Sequence, residues 1–371
     1  MRKLAPYQIF FPIGVLCSAL AIGVWLVQNL GWFDAPAMLI HSKLIIGGFL
    51  WSFIVGFLMT AIPKMTGTAS AKRGEVAIAV LLIALQIVFS WFVDGRPFYL
   101  GQMLVVLFVM VFAGRRVLKR TRALPVFFSH MVLAMVLALG GAAALFQGER
   151  MMGIHLFHVG TILLLILGIG TRFFSFLSGL PSEFEGMPIR RQWVFHLLGL
   201  LVAAQLVLAG AGIRAAYLGL FVTTLLYLLM VWKVLRRSER TSSLKAAVRI
   251  VAFMIPLSFL LCWIEPAQFL TWLHLLFIGC FGMMTYAVAT RVTLAHGAYS
   301  TDLEIRSRSL WVFVAMLSLS AVARMLYGVV DEPVKAHLLH VAAMFWLLAV
   351  GCWCYSFARR IIVPGDQVQA C

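Results

Sequence analysis

The sequence holds nine histidines, and six of them lie near the same ends of four long apolar segments. These six are His41, His155, His158, His274, His337 and His340. Neutral imidazole is a common ligand for copper, iron and zinc, and it brings no charge into an apolar interior. Because His155 and His158 are three residues apart, a helix places both on one face. The grouping predicts a site for haem or a metal ion.

Each histidine also has a plainer explanation, in which it ends a membrane helix and bonds to a backbone carbonyl. His130, His196 and His296 are predicted at the opposite ends of their segments, away from the group of six. No CxxC pair and no CxxCH motif occurs, so neither a zinc–thiolate site nor covalent haem attachment is predicted. The 18 methionines permit thioether ligation, but methionine is more often a core-packing residue.

Two cations, Lys43 and Arg324, are predicted inside apolar segments. Ionisable side chains are costly in a bilayer, so each is a candidate functional residue. Lys43 could pair with a carboxylate of a ligand or with Glu265. In the plainer alternative, both long side chains extend to the headgroup region.

The composition requires a lipid environment. The chain has 371 residues, of which 63% are hydrophobic and 12% charged, and its mean hydropathy is +1.00. A soluble domain is roughly 45–50% apolar and about 25% charged, so a core of this size cannot hide the excess. The net charge of +17 falls in short loops, which excludes nucleic acid as the expected partner.

Twelve apolar segments are long enough to cross a bilayer, and the short loops leave no room for a soluble domain. The sequence therefore predicts an all-α polytopic membrane protein, one integral membrane domain over residues 1–371. The first segment follows Arg2-Lys3 as a secretory signal would, but its length predicts a retained helix. The segments are 8–29, 38–62, 75–93, 97–114, 125–146, 153–177, 192–210, 213–235, 247–264, 268–292, 309–330 and 336–360.

The distribution of the 30 Lys and Arg residues predicts the topology. The chain ends and the loops after segments 2, 4, 6, 8 and 10 hold 24 of them. Lys43 and Arg324 lie within segments. Basic residues concentrate on the cytoplasmic side, so both termini are predicted to be cytoplasmic, in a bacterial inner membrane. The loops on the other side hold Arg96, Arg150, Arg214 and Lys335.

The spacing of three histidines indicates a weak internal repeat. His41, His155 and His274 begin segments 2, 6 and 10, and each of these segments runs on to a glycine at its inner end. Three four-helix units, 1–120, 121–240 and 241–371, would explain this spacing, as would ordinary helix spacing. The same segments carry Gly47-Gly48, Gly168–Gly170 and Gly279–Gly282. Small residues permit close helix contact, which predicts that these three segments form the centre of the bundle.

Three blocks of sequence resemble the signatures of the NnrS family, bacterial membrane proteins that contain haem and copper. The first block is His41-Ser-Lys-Leu-Ile-Ile-Gly-Gly-Phe, continuing to Gly56-Phe-Leu-Met-Thr-Ala-Ile-Pro-Lys-Met-Thr-Gly67. The second is Gly168-Ile-Gly-Thr-Arg172. The third runs from His274 through Gly282-Met-Met-Thr to Arg291-Val-Thr-Leu-Ala-His-Gly297.

The resemblance implies non-covalent haem, with copper as a second metal, and a role in nitric oxide metabolism or resistance to nitrosative stress. It carries over His41, His274, Arg291 and His296 as site residues. The family pattern in the second helix has two histidines two residues apart, followed by Glu and Met. Here Lys43 stands at the second position and neither Glu nor Met follows, which puts full loading with both metals in doubt.

Together these inferences give a candidate site and two rival functions. The rivals are a transporter or channel for a small anion or metabolite through segments 2, 6 and 10, and a membrane scaffold without a ligand. Besides the lipid bilayer and the cofactor, no partner is predicted, and enzymatic activity is left open. The predicted cofactor residues are His41, His155, His158, His274, Lys43 and Arg291. The predicted metal ligands are His41, His274, His158, His340 and His296.

Overall fold

Twelve long helices form the part of the chain that the structure, a computed structural model, describes. That part comprises residues 4–29, 31–32, 36–179, 189–236, 241–332 and 334–363, and it contains no strand; the Arg2-Lys3 start lies outside it. The helices are α1 Pro6–Asn29, α2 Ala37–Thr66, α3 Arg73–Phe89, α4 Arg96–Leu118, α5 Phe128–Gln147, α6 Arg150–Ser178, α7 Ile189–Gly210, α8 Ala215–Trp232, α9 Ser243–Ile264, α10 Pro266–His296, α11 Arg308–Leu326 and α12 Val334–Ile362.

The helices agree with the predicted all-α membrane architecture. Eleven of those described are long and apolar enough to cross a bilayer, and α3, at 17 residues, is the short one. The chain is therefore a multi-pass membrane protein. Gln8 Nε2 donates to the carbonyl oxygen of Ile361 at 2.8 Å, so the start of α1 and the end of α12 lie on the same side of the bundle. An even number of crossings requires this arrangement.

Two helices end about four residues before their predicted ends. The backbone N–H groups of Trp91 and Phe92 bond three residues back, to Val88 and Phe89, which tightens the end of α3 into a turn. At the end of α11, Gly328 lies so close to α10 that an added Cβ would be 2.8 Å from Thr271. A local turn therefore ends α3, and packing against α10 accompanies the end of α11; hydropathy reports neither feature.

The prediction that α2, α6 and α10 form the centre is confirmed by their burial. In the most apolar window of each, 78%, 83% and 72% of the residues are buried, against at most 50% in the other spanning helices described. Glycines allow the close contacts. An added Cβ at Gly48 would lie 2.8 Å from Cys17 of α1, one at Gly168 2.9 Å from His130 of α5, and one at Gly282 2.7 Å from Trp346 of α12.

Each central helix changes from α to π geometry and back. The π segments are Leu44–Leu50 in α2, Ile154–Gly160 in α6 and Leu275–Gly282 in α10, and a fourth, Leu228–Trp232, ends α8. π turns are rare, usually single, and frequent at functional sites. The three in the central helices lie at the histidines, which directs attention to that level of the bundle.

The outer helices pack in a closed ring. Helix α4 packs on α5, α8 packs on α9, and α12 returns to pack on α1. Each of these contacts joins the fourth helix of one predicted unit to the first helix of the next. The three-unit repeat stays a prediction, and the ring is the packing that such a repeat would give.

Candidate functional site

A cavity of about 810 Å³ lies at the end of the bundle opposite the chain ends, which is the predicted outer side. Residues from α1, α2, α4, α5, α6, α10, α11 and α12 and from the α3–α4 turn line it. Sites for cofactors and other small molecules typically occupy about 300–1,000 Å³. The polar and charged lining residues on which the argument rests are His41, Lys43, Asp94, Arg96, Arg150, His158, His274, Arg324, Tyr327 and His340.

His41 and His274 are held in the same tautomer. Nδ1 of His41 lies 3.0 Å from the carbonyl oxygen of Ala21, and Nδ1 of His274 lies 2.7 Å from that of Leu270. A carbonyl oxygen can only accept, so Nδ1 carries the proton in both rings and Nε2 of the neutral imidazole has a free lone pair. Histidines that bind metals usually have their other ring nitrogen bonded in this way.

His158 and His340 also line the cavity, so four of the five predicted metal ligands meet there. No group of three or more His, Cys, Asp or Glu residues with the spacing to hold one metal ion occurs among the described residues. The four imidazoles are distributed over α2, α6, α10 and α12. This arrangement suits a cofactor larger than a single ion.

His155 is not part of the cavity wall. It is fully buried, with Nδ1 2.8 Å from the Met151 carbonyl oxygen and Nε2 2.7 Å from the Tyr217 hydroxyl. The carbonyl fixes the proton on Nδ1, so Nε2 accepts a hydrogen bond from Tyr217. Its lone pair is engaged, and of the two neighbouring histidines in α6 only His158 faces the cavity.

Arg291 and His296 lie at the opposite end of α10. Nη1 of Arg291 is 2.5 Å from Oε1 of Glu304, and its guanidinium lies over the Phe176 ring. Burial raises the pKa of the Glu304 carboxyl, although Arg291 opposes the shift. Nδ1 of His296 is 2.6 Å from Nζ of Lys64. These two motif positions hold the inner ends of helices together and do not reach the cavity.

Lys43 and Arg324 place two cations on the cavity wall. Lys43 is 4% exposed, donates to the Phe92 carbonyl oxygen and interacts with Asp94, whereas Glu265 accepts a hydrogen bond from Gln268. Nη1 of Arg324 is buried and has no hydrogen-bond partner in the described part of the chain, and the guanidinium lies 4.5 Å from the Tyr327 ring centroid. Arg324 interacts electrostatically with His41 and His274.

Arg96 and Arg150 add two more cations, which sequence reasoning treated as ordinary loop residues. Of the charged residues described in the lining, only Asp94 is acidic. Outer loops hold four of the 30 basic residues, and two of those four border the cavity. Basic residues are rare in the outer loops, and this rarity was the signal that could have identified Arg96 and Arg150 as cavity residues. The excess of positive charge favours a ligand with carboxylate or phosphate groups.

The lining fits haem in three independent respects. Its volume lies in the cofactor range, its histidines offer free Nε2 atoms, and its unpartnered Arg324 Nη1 matches a carboxylate such as a haem propionate. Trp25, Phe49 and Trp346 supply aromatic surface for a flat apolar ring. Fold and site together define a polytopic all-α membrane protein with a histidine-lined, cationic cavity.

Comparison with known proteins gives the family. The sequence profile described as NnrS protein matches residues 4–364, nearly the whole chain, so the chain belongs to the NnrS family. A comparison with the curated proteins gives no match. Membership agrees with the resemblance seen in the three sequence blocks and supports a membrane protein related to nitric oxide.

Proposed function

We propose that this chain binds haem, with copper as an optional second metal, in a bacterial inner membrane, and acts in nitric oxide metabolism or resistance to nitrosative stress. The observation that carries the proposal is that two imidazoles, His41 and His274, line one cavity, each with Nδ1 bonded to a backbone carbonyl and with no hydrogen bond to Nε2 among the described residues. Family membership supports the connection with nitric oxide. The basic loops support cytoplasmic termini.

In this proposal the histidines, the cations and the aromatic residues of the cavity have separate roles. His41 and His274 would hold the iron, and Arg324 and Lys43 would pair with the haem propionates. Bound haem would supply the iron to which nitric oxide binds, in place of one of the two imidazoles. The backbone bonds at Ala21 and Leu270 fix the orientation of the two rings before binding, which lowers the entropy lost on ligation. Trp25, Phe49 and Trp346 line the same cavity and would pack against the apolar ring of the haem.

Copper binding would depend on His158 and His340, because Lys43 occupies the position of the family's second histidine. A protonated amine has no lone pair to donate to a metal. Lys43 is buried and bonded to the Phe92 carbonyl oxygen, which suits a cation that stays in place. We therefore expect the copper content to be lower than the haem content.

The test is a spectrum and metal analysis of the full chain purified from haem-replete cells. We expect a Soret band and stoichiometric iron, both lost in His41→Ala and His274→Ala. His337→Ala is the matched control, because His337 lies exposed at the same end of the bundle and outside the cavity. A colourless preparation without iron or copper would contradict the proposal.

A second candidate is transport of a small anion, which the four cations on the cavity wall favour. In that case anion flux into proteoliposomes should persist in the His41→Ala/His274→Ala double variant and fall in Arg324→Met. Flux that is lost with the histidines, or no flux in the wild type, would reject transport.

A further inference from the structure

A second cavity, of about 70 Å³, lies between the three central helices. We call it the apolar chamber. Its walls include Phe53 and Ile54 of α2, Ile166 of α6 and Val288 of α10, and Thr285 is the only described lining residue with a polar side chain. Leu50 lines both the chamber and the histidine-lined cavity, so one side chain stands between the two spaces.

The position of the chamber follows from the π segments. On α2, α6 and α10 its lining residues begin at Leu50, Ile162 and Met284, and the three π segments end at Leu50, Gly160 and Gly282. A change from π to α geometry rotates the side chains that follow. When three neighbouring helices make that change at one level, their side chains leave a gap on the common axis. The chamber is thus a consequence of the fold and not of one poorly packed residue.

The lining determines what the chamber can hold. One water needs roughly 10–15 Å³ and two to four polar partners. The chamber is several times that size, but among the described residues that line it only Thr285 has a hydroxyl or other polar side-chain group. Apolar cavities of this kind stay dry and take up small apolar molecules such as xenon. A charged or strongly hydrated ligand would have to give up its water without compensation.

We propose that the apolar chamber binds a small uncharged gas and delivers it past Leu50 to the histidine-lined cavity. That the gas is nitric oxide rests on the proposed function, whereas binding of an uncharged gas in the chamber does not depend on it. Leu50 is 3% exposed and is the last residue of the α2 π segment. In this proposal, rotation of the Leu50 side chain joins the two spaces that it lines.

Xenon tests the chamber independently of any cofactor. Crystals of the full chain under xenon pressure should show one xenon atom in the chamber, in contact with Val288. Val288→Phe should abolish this occupancy. Val222→Phe should keep it, because Val222 is 44% exposed on the outside of α8. Should Val288→Phe fail to fold, Ile166→Phe fills the same space from α6.

The outcomes separate the two proposals. Xenon in the chamber of a protein without haem would reject the proposed function and keep the chamber. A haem-loaded protein with no xenon there, or with ordered water or a lipid acyl chain in its place, would overturn the chamber. In the haem-loaded protein, Val288→Phe should lower the rate constant for nitric oxide association and leave the Soret band unchanged. An unchanged rate constant would overturn delivery through the chamber.

Discussion

The hydroxyl of Tyr217 lies 2.7 Å from Nε2 of His155 and keeps that histidine away from the cavity. Tyr217 is 4% exposed and His155 fully buried, so each is the other's polar partner in an apolar surrounding. One turn further along α6, His158 faces the cavity instead. Two histidines of the same helix therefore have different roles. His155 packs against Tyr217, and His158 belongs to the candidate site.

We expect Tyr217→Phe to destabilise the protein without changing its cofactor spectrum. The substitution leaves Nε2 of His155 buried and without a donor, which costs about 0.6–2 kcal/mol for a hydrogen bond between membrane helices. Thermal denaturation in detergent measures the effect. Tyr355→Phe is the matched control, because Tyr355 is 90% exposed. A shifted Soret band in Tyr217→Phe would instead place His155 in the cofactor site.

The different roles of His155 and His158 show where prediction from sequence ends. Periodicity placed both on one face because it assumes 3.6 residues per turn. The π segment Ile154–Gly160 contains both residues, and its wider turns alter the angle between them. Hydropathy and loop charge predicted the order of the helices, since both depend on solvation of whole segments. The small residues of α2, α6 and α10 predicted the central position of these three helices.

Contacts between distant segments could not be predicted in the same way. Of the two partners expected for Lys43, Glu265 is bonded to Gln268 instead, and Lys43 lies beside Phe92 and Asp94 of the α3–α4 turn. Its pairing with a ligand stays a prediction. The family motif grouped Arg291 with the site histidines, whereas the structure separates them by the length of α10. Pairings of this kind depend on tertiary packing, about which spacing along a helix carries no information.

Arg324→Met should weaken retention of an anionic cofactor. The buried Nη1 of Arg324 has no hydrogen-bond partner within the described residues, and a charge-assisted hydrogen bond contributes about 1.5–3 kcal/mol. Its loss corresponds to roughly ten- to hundredfold weaker binding. The haem-to-protein ratio after dilution reports the change. Lys335→Met, a change of an outer cation that does not line the cavity, should retain haem like the wild type.

Arg291→Met should lower the melting temperature and leave the haem-to-protein ratio unchanged. It leaves Glu304, 7% exposed, without its partner, at a cost of about 1–3 kcal/mol because Arg291 itself is partly exposed. Glu304→Gln should be milder, since burial already raises the pKa of that carboxyl and a neutral amide needs less solvation. The double variant should be more stable than the sum of the single changes implies. Loss of haem in Arg291→Met would instead mean that Arg291 contributes to cofactor binding.

Lys43→His should increase the copper content. The substitution replaces a buried ammonium by a neutral imidazole at the position where the family has its second histidine, two residues after His41, and both positions line the cavity. Copper binds imidazole nitrogen strongly, so a third or fourth ring near His158 and His340 should raise the copper-to-protein ratio. Lys43→Met removes the cation without adding a ligand, and Lys335→His adds a histidine outside the cavity. Both control variants should keep the wild-type copper-to-protein ratio. A wild-type ratio in Lys43→His as well would mean that position 43 does not reach a metal.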